Sequence, residues 1–429
     1  MKAFVENRFG LLVLVIVALT AMYGVAYVTR PAPSPRPSVG PRKVAVESVT
    51  AVCPGTKGEK VGVYLPGTLT HEAMDAKPYL TNGPGGLEAG YLTRVTQGGG
   101  RGLAGVRCTE PAPETWLVGP GPANADVRLH LTNADKAPAQ ADVVVFAAEG
   151  AVSGDKGIGL EIAPGEHREI DLKTLAPSAD VMALSVTTVF GRVAVAARTT
   201  LDGGGVDWLP AAAPPATRVV VPGIPGGGGG RELLVAAPGE TDAVVQVKAV
   251  SEDAEYAMKG RESLDVPAGS VVSLDVTTGV GASSAALVLT SSVPVVAGVV
   301  ITGTGQRADV AFTAGTSSLA LGSAVARNGT GSRLVLTALG GPGKVRVQVV
   351  PGERPFEVEV PAGRTRNVKL KAKGDFAVVV TPVSGEVYGG RVVEERLKTG
   401  LLITAQPLAP ARMWTMLPAL NDSQRVVLP

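Results

Sequence analysis

The sequence predicts an all-β protein: tandem immunoglobulin-like β-sandwich modules carried behind one N-terminal transmembrane helix. Three observations lead there. A Pro- and Gly-containing turn flanked by strand-like residues occurs at Ile162 to Gly165, Val266 to Gly269 and Val360 to Gly363. A second segment, Val193 to Arg198, Val295 to Val300 and Val387 to Val392, follows each turn. Whole modules therefore recur, at a period of roughly 95–100 residues, the size of one β-sandwich. Ahead of them lies a run of 20 residues without charge. Gly 55 and Pro 33, against 4% aromatic and 18% charged residues, describe many turns joined by strands of Val, Thr and Ala.

Taken in order, residues 1–29 hold a short stub and the helix. Phe9 to Val28 is as long as a helix needs to be to cross a hydrocarbon core of roughly 30 Å. It exceeds the h-region of a signal peptide, although Gly24-Val25-Ala26 offers a small-x-small site where a peptidase would cut. The absence of a cysteine beside the run argues against a lipoprotein. Lys2 and Arg8 flank one side and Arg30, Arg36, Arg42 and Lys43 the other. That count alone favours an internal body, but long following domains translocate largely regardless of it. The expectation is a cell-membrane protein whose C-terminal body is extracytoplasmic. Residues 30–43 form a Pro-rich spacer of the extended polyproline type.

Six of the 40 Lys and Arg and one of the 38 Asp and Glu precede residue 44, which leaves the body at about −3. It has no basic face for nucleic acid. The only two cysteines, Cys53 and Cys108, both fall in the segment 44–112. In an exported chain a lone pair reads as one disulfide.

The modules are placed at 113–214, 215–314 and 315–398, with a C-terminal extension at 399–429 whose closing strand is expected at Arg425 to Pro429. Segment 44–112 matches the repeat only in its first strand, where Ser48 to Gly55 resembles Thr217 to Gly223. Within modules two and three, Val245, Val247 and Ala249 alternate with Gln246 and Lys248, and Val345, Val347 and Val349 with Lys344, Arg346 and Gln348, so one face is buried and one wet. Each turn is read as a hairpin. In the third, Glu357 and Glu359 would face Lys369, Lys371 and Lys373 across the turn on a solvated face.

The anchor, the Cys53-Pro54-Gly55 segment, the recurring Val-Pro-Ala-Gly and the Pro294 to Gly298 segment together resemble a family of actinobacterial single-pass membrane-anchored proteins of uncharacterised function. The resemblance covers most of the chain and implies a cell-envelope location. It supplies no catalytic residue.

Candidate chemistry is sparse. His71-Glu72-Ala73-Met74-Asp75 would put His71 and Asp75 on one face of a helix with Glu72 as base, a departure from the zinc-peptidase His-Glu-x-x-His pattern. A further ligand would have to be His130 or His167. Bracketed by Pro66-Gly67 and Pro78, the segment reads better as a short surface helix capped by Thr70. Gly226 to Gly230 lacks the Lys-Ser or Lys-Thr of a phosphate loop and reads as a flexible loop. With three histidines and no Gly-x-Ser-x-Gly elbow, a Ser-His-Asp triad has few ways to form. Trp116, Trp208 and Trp414 fall at equivalent module boundaries and are assigned to packing between modules rather than to a sugar platform. Glu252, Asp253 and Glu255 form a polar loop where calcium is the remote alternative to plain solvation. No catalytic, cofactor or metal site is assigned. The functional expectation is a non-catalytic structural or interaction ectodomain that meets an envelope protein or glycan. The alternative is an extracytoplasmic enzyme or glycan-binding accessory with 44–112 as its active part.

Overall fold

The computed structural model describes residues 2–29, 42–98, 100–152, 154–201, 203–352 and 354–417. The Pro-rich spacer at 30–41 and the closing strand at 425–429 lie outside the described residues. Two compact units are present, residues 1–44 with 416–429, and residues 45–415. Among its described residues the first holds the helix Lys2–Val28, whose Phe9–Val28 stretch has a mean hydropathy of 2.5 and the length to span a bilayer. A short strand, Arg42–Ala45, pairs with Trp414–Leu417.

The second unit is all-β, and its modules share one plan. In module two, Ala216–Ile224 and Ala243–Val250 pair with residues 285–295 of the long strand Ala285–Thr302, while residues 296–302 of the same strand enter a second sheet between Arg231–Ala237 and Val310–Ala314. Ser270–Asp275 closes that second sheet on its outer side. Alternation decides the faces: Val245, Val247 and Ala249 are buried and Val244, Gln246 and Lys248 exposed. Module one repeats the second sheet as His167–Asp171, Ala125–Thr132, Ala194–Leu201, Val206–Leu209. Module three repeats it with Arg364–Lys369, residues 332–339, residues 386–397 and Gly400–Pro407.

Segment 44–112 is a shortened fourth copy. Its sheet runs Thr68–Ala73, Lys60–Leu65, Glu88–Val95, Gly102–Arg107, the same strand order. Among the described residues its other sheet keeps Val49–Cys53 and Tyr79–Gly83.

The recurring turns are not hairpins. Phe356–Val360 pairs with residues 343–347, whereas Arg364–Lys369, just past the turn, pairs with residues 333–338 in the other sheet. Ser263–Val266 and Ser270–Asp275 divide in the same way. Each Pro-Gly turn thus carries the chain from one sheet across to its partner. Glu357 and Glu359 accordingly meet Lys344 (3.4 and 2.7 Å) and Arg346 (3.2 Å to Glu357), not Lys369, Lys371 and Lys373.

The last strand of each four-stranded sheet faces inward. Gly102–Arg107 touches Val206–Leu209, which touches Val310–Ala314, which touches Gly400–Pro407, which returns to Gly102–Arg107. The four sheets therefore stand around a closed ring of inner strands, a propeller-like arrangement rather than beads on a string. Their cores interlock. Val310 and Phe312 of module two complete the core of module one, Val206 and Trp208 of module one join that of segment 44–112, and Val335, Val392, Ile403 and Ala405 enter that of module two.

Candidate functional site

Inner strands that come from four sheets cannot all pair by a regular ladder, and two buried carboxylates supply the missing acceptors. Asp309, 1% exposed, accepts the backbone N–H groups of Val206 (3.2 Å) and Val310 (2.9 Å) on Oδ1 and of Leu103 and Ile403 (both 2.9 Å) on Oδ2. Asp207, fully buried, takes Gly105 N–H at 2.8 Å, Trp208 N–H at 2.9 Å and the Thr404 hydroxyl at 3.1 Å on Oδ1. Burial pushes Asp309 up to about 6 and Asp207 well above the ordinary carboxyl range, the hydrogen bonds opposing it in both. Arg391 is buried in the same region, lowered to about 10 by burial, with Asp207 pulling the other way.

Beside this centre lies a cleft of about 650 Å³, lined by Val49 to Ala51, residues 105–110, residues 208–212, and most of the chain from Gln406 to Thr415. The Cys53–Cys108 disulfide, 55 residues apart in sequence, ties two of its walls. Three glutamates line it, and each is already held. Glu88 forms a two-point ion pair with Arg107, one contact at 2.8 Å, and burial raises its carboxyl against the pull of Arg107. Glu110 meets Arg412 Nε at 2.8 Å, and Glu114 accepts Trp116 Nε1–H at 2.7 Å. These carboxylates shape the walls.

The sequence candidates separate. His71 lies on the exposed strand Thr68–Ala73, not on a helix: Pro66-Gly67 makes a two-residue hairpin turn with Gly67 at φ +90°, and Thr68 and Thr70 favour the strand. His71 Nε2 sits 3.8 Å from Asp375, and Asp75 accepts the N–H of Ala76 at 2.7 Å. His130 and His167 meet one another instead, Nδ1 to Nε2 at 3.4 Å, stacked at 5.4 Å, with Trp208 against His130. Among the described residues no group of three ligand-type side chains gathers for a metal. Trp116 packs on Phe146 in the core shared by modules one and two, and Trp208 edges Tyr91 of segment 44–112. Trp414 departs from the junction assignment: it is 41% exposed and lines the cleft.

The glycine run packs around a buried side chain. Arg231, 3% exposed, donates to the carbonyls of Pro225 (3.0 Å) and Gly230 (2.9 Å), so the loop wraps its guanidinium. Glu252 accepts Ser284 N–H at 3.3 Å and Glu255 pairs with Lys248 at 3.2 Å, so that polar loop is engaged with its own neighbours. What the sequence reading missed were Asp207, Asp309 and Arg391. The signal present was an aspartate in or beside the short strand that ends each of the first two modules, Val206-Asp207-Trp208 and Asp309-Val310.

Residues 78–379 match a family of unknown function, DUF5719, and the chain belongs to it. No curated protein and no solved structure matches it.

Proposed function

We propose that this protein is a membrane-tethered extracytoplasmic interaction ectodomain and that the 650 Å³ cleft is its recognition surface. The cleft carries the proposal: it is concave, its walls are fixed by a disulfide and by the interlocked inner strands, and its three glutamates are bound to partners within the chain. Such a site is preorganised to bind. The single disulfide and the apolar N-terminal helix support a tether in the membrane and an oxidising compartment for the body. The partner is read as an envelope protein.

The test is site-specific photo-crosslinking in the native membrane, with the probe at Thr50 on the cleft or at Val244, 50% exposed on module two. A discrete adduct from Thr50 that is missing from Val244 is expected. Equal labelling from both positions overturns the cleft as the recognition surface. Protease added to spheroplasts should digest the body, and its full protection overturns the outward orientation. One observation favours a glycan partner instead: the exposed ring of Trp414 on the cleft wall. Envelope glycan retained by the intact protein and lost in Trp414→Ala would select that reading.

A further inference from the structure

The fully buried guanidinium of Arg391 has no hydrogen-bond acceptor from the protein on Nε, Nη1 or Nη2. Burying a guanidinium without hydrogen-bond acceptors costs several kcal/mol. Around it the unmatched groups are mostly donors. Gln406, 4% exposed, faces Arg391 directly across the strand pair, and its Nε2 is also unmatched. Thr199 faces Asp207 across the neighbouring pair, with its hydroxyl unmatched, as is Asp207 Oδ2. The two pairs belong to one cluster. A Cβ on Gly105 would lie 3.2 Å from Arg391 Nη2 and 2.7 Å from Thr404 Oγ1, and both Gly105 N–H and the Thr404 hydroxyl donate to Asp207.

We propose that this cluster is a binding site for a small oxyanion, with a carboxylate as the best-fitting occupant, lying beneath the floor of the cleft where Gly105 and Gln406 line it. A planar fork of five N–H donors matches two carboxylate oxygens, and the Gln406 amide adds a further donor. A metal cation is disfavoured by the guanidinium. Asp207 is the acidic neighbour, and three donors already converge on its Oδ1. Burial holds its carboxyl toward the acid form, in which Oδ2 becomes a donor to the anion rather than a repelling charge. The site stands apart from the ectodomain reading, since an anion here ties together inner strands of three sheets whether or not the cleft takes a partner.

The probe is sodium formate, the smallest carboxylate, added to the detergent-solubilised full chain against sodium chloride of equal ionic strength. Formate should raise the melting temperature saturably, by roughly 2–5 °C at a hundredfold excess over its dissociation constant. Arg391→Met should abolish the response, and Gln406→Leu should weaken apparent formate affinity by about tenfold. If Arg391→Met fails to fold, Gln406→Leu and a crystal structure grown with formate carry the test, with the anion expected in two-point contact with Arg391. Identical melting in formate and chloride overturns the proposal. So does a formate response unchanged in either variant, or a crystal structure in which water alone bridges Asp207 and Arg391.

Discussion

The outer turns and the inner strands of the body solve the same problem, joining sheets, by opposite means. At the outside, Gly165, Gly269 and Gly363 adopt φ of +73°, +69° and +62° in three copies of one local sequence, and each carries its chain from one sheet to the other. At the inside, Gly102–Arg107, Val206–Leu209, Val310–Ala314 and Gly400–Pro407 share no motif, yet they close one ring. The outer junction is written in a few adjacent residues and is copied with them. The inner junction depends on Asp207 and Asp309 reaching strands about 100 and 200 residues away, such as Gly105 and Thr404 for Asp207. Removing an inner carboxylate should therefore damage the whole body, while changing an outer turn should do less.

The largest effect is expected at Asp309. Its two oxygens hold four backbone N–H groups on four different strand positions, and Asp309→Leu leaves all four buried without an acceptor. A loss of about 3–5 kcal/mol is expected, read as a shifted midpoint in denaturant with unchanged slope. A loss under 1 kcal/mol would show that the ring holds without its carboxylate. Next is the disulfide. Closing a loop of 55 residues should stabilise the body by roughly 4 kcal/mol in the chain-entropy model. Cys53→Ser with Cys108→Ser should lower stability by that order, and alkylation of the native protein without reductant should label neither cysteine.

Acid sharpens the comparison at the junction of segment 44–112 with module one. His130 is packed between His167 and Trp208 and is lowered to about 4, chiefly by burial and then by His167 and Arg198. A histidine whose folded value lies below its unfolded one stabilises the fold above the unfolded value, and that stability is lost as pH falls. The window is therefore pH 6.5 down to about 4, with a loss of roughly 3 kcal/mol across it. Asp207 and Asp309, raised by burial, act in the opposite sense over the same range, so the test is a difference: the unfolding free energy of the parent chain should fall relative to that of His130→Leu as the pH drops. A difference that stays constant with pH would remove His130 as its cause.

These contrasts explain what was legible in the sequence. The helix, the strand alternation and the repeating turn are local patterns, and the residues that form them sit next to one another. The pairing across the turn was misread because strand, turn, strand has the same local signature whether it makes a hairpin or an arch between sheets; only the distant partners of Glu357 and Arg366 separate the two. Segment 44–112 escaped alignment because it kept the inner sheet and lost half of the outer one. His71 was misplaced because the bracketing prolines were weighed above the alternating threonines. Arg391 was invisible because its significance lies in the hydrogen-bond acceptors it lacks, which no spacing can report.

The smallest effect, and the most telling about organisation, is expected at an outer turn. Gly269 has φ of +69°, and a Cβ there would meet nothing closer than Ala151 N at 3.8 Å, so Gly269→Val is opposed by backbone conformation and not by crowding. The cost should be on the order of 1–3 kcal/mol. Tandem sandwiches with private cores would confine that loss to module two, leaving the melting of modules one and three in place. The interlocked cores argue otherwise: Val310 and Phe312 are buried in module one, and Ile403 and Ala405 in module two. Calorimetry of Gly269→Val should therefore show one transition for residues 45–415, displaced as a whole to lower temperature. Two or more separated transitions, with only one of them moved, would mean that the ring of inner strands joins the modules without coupling their stability.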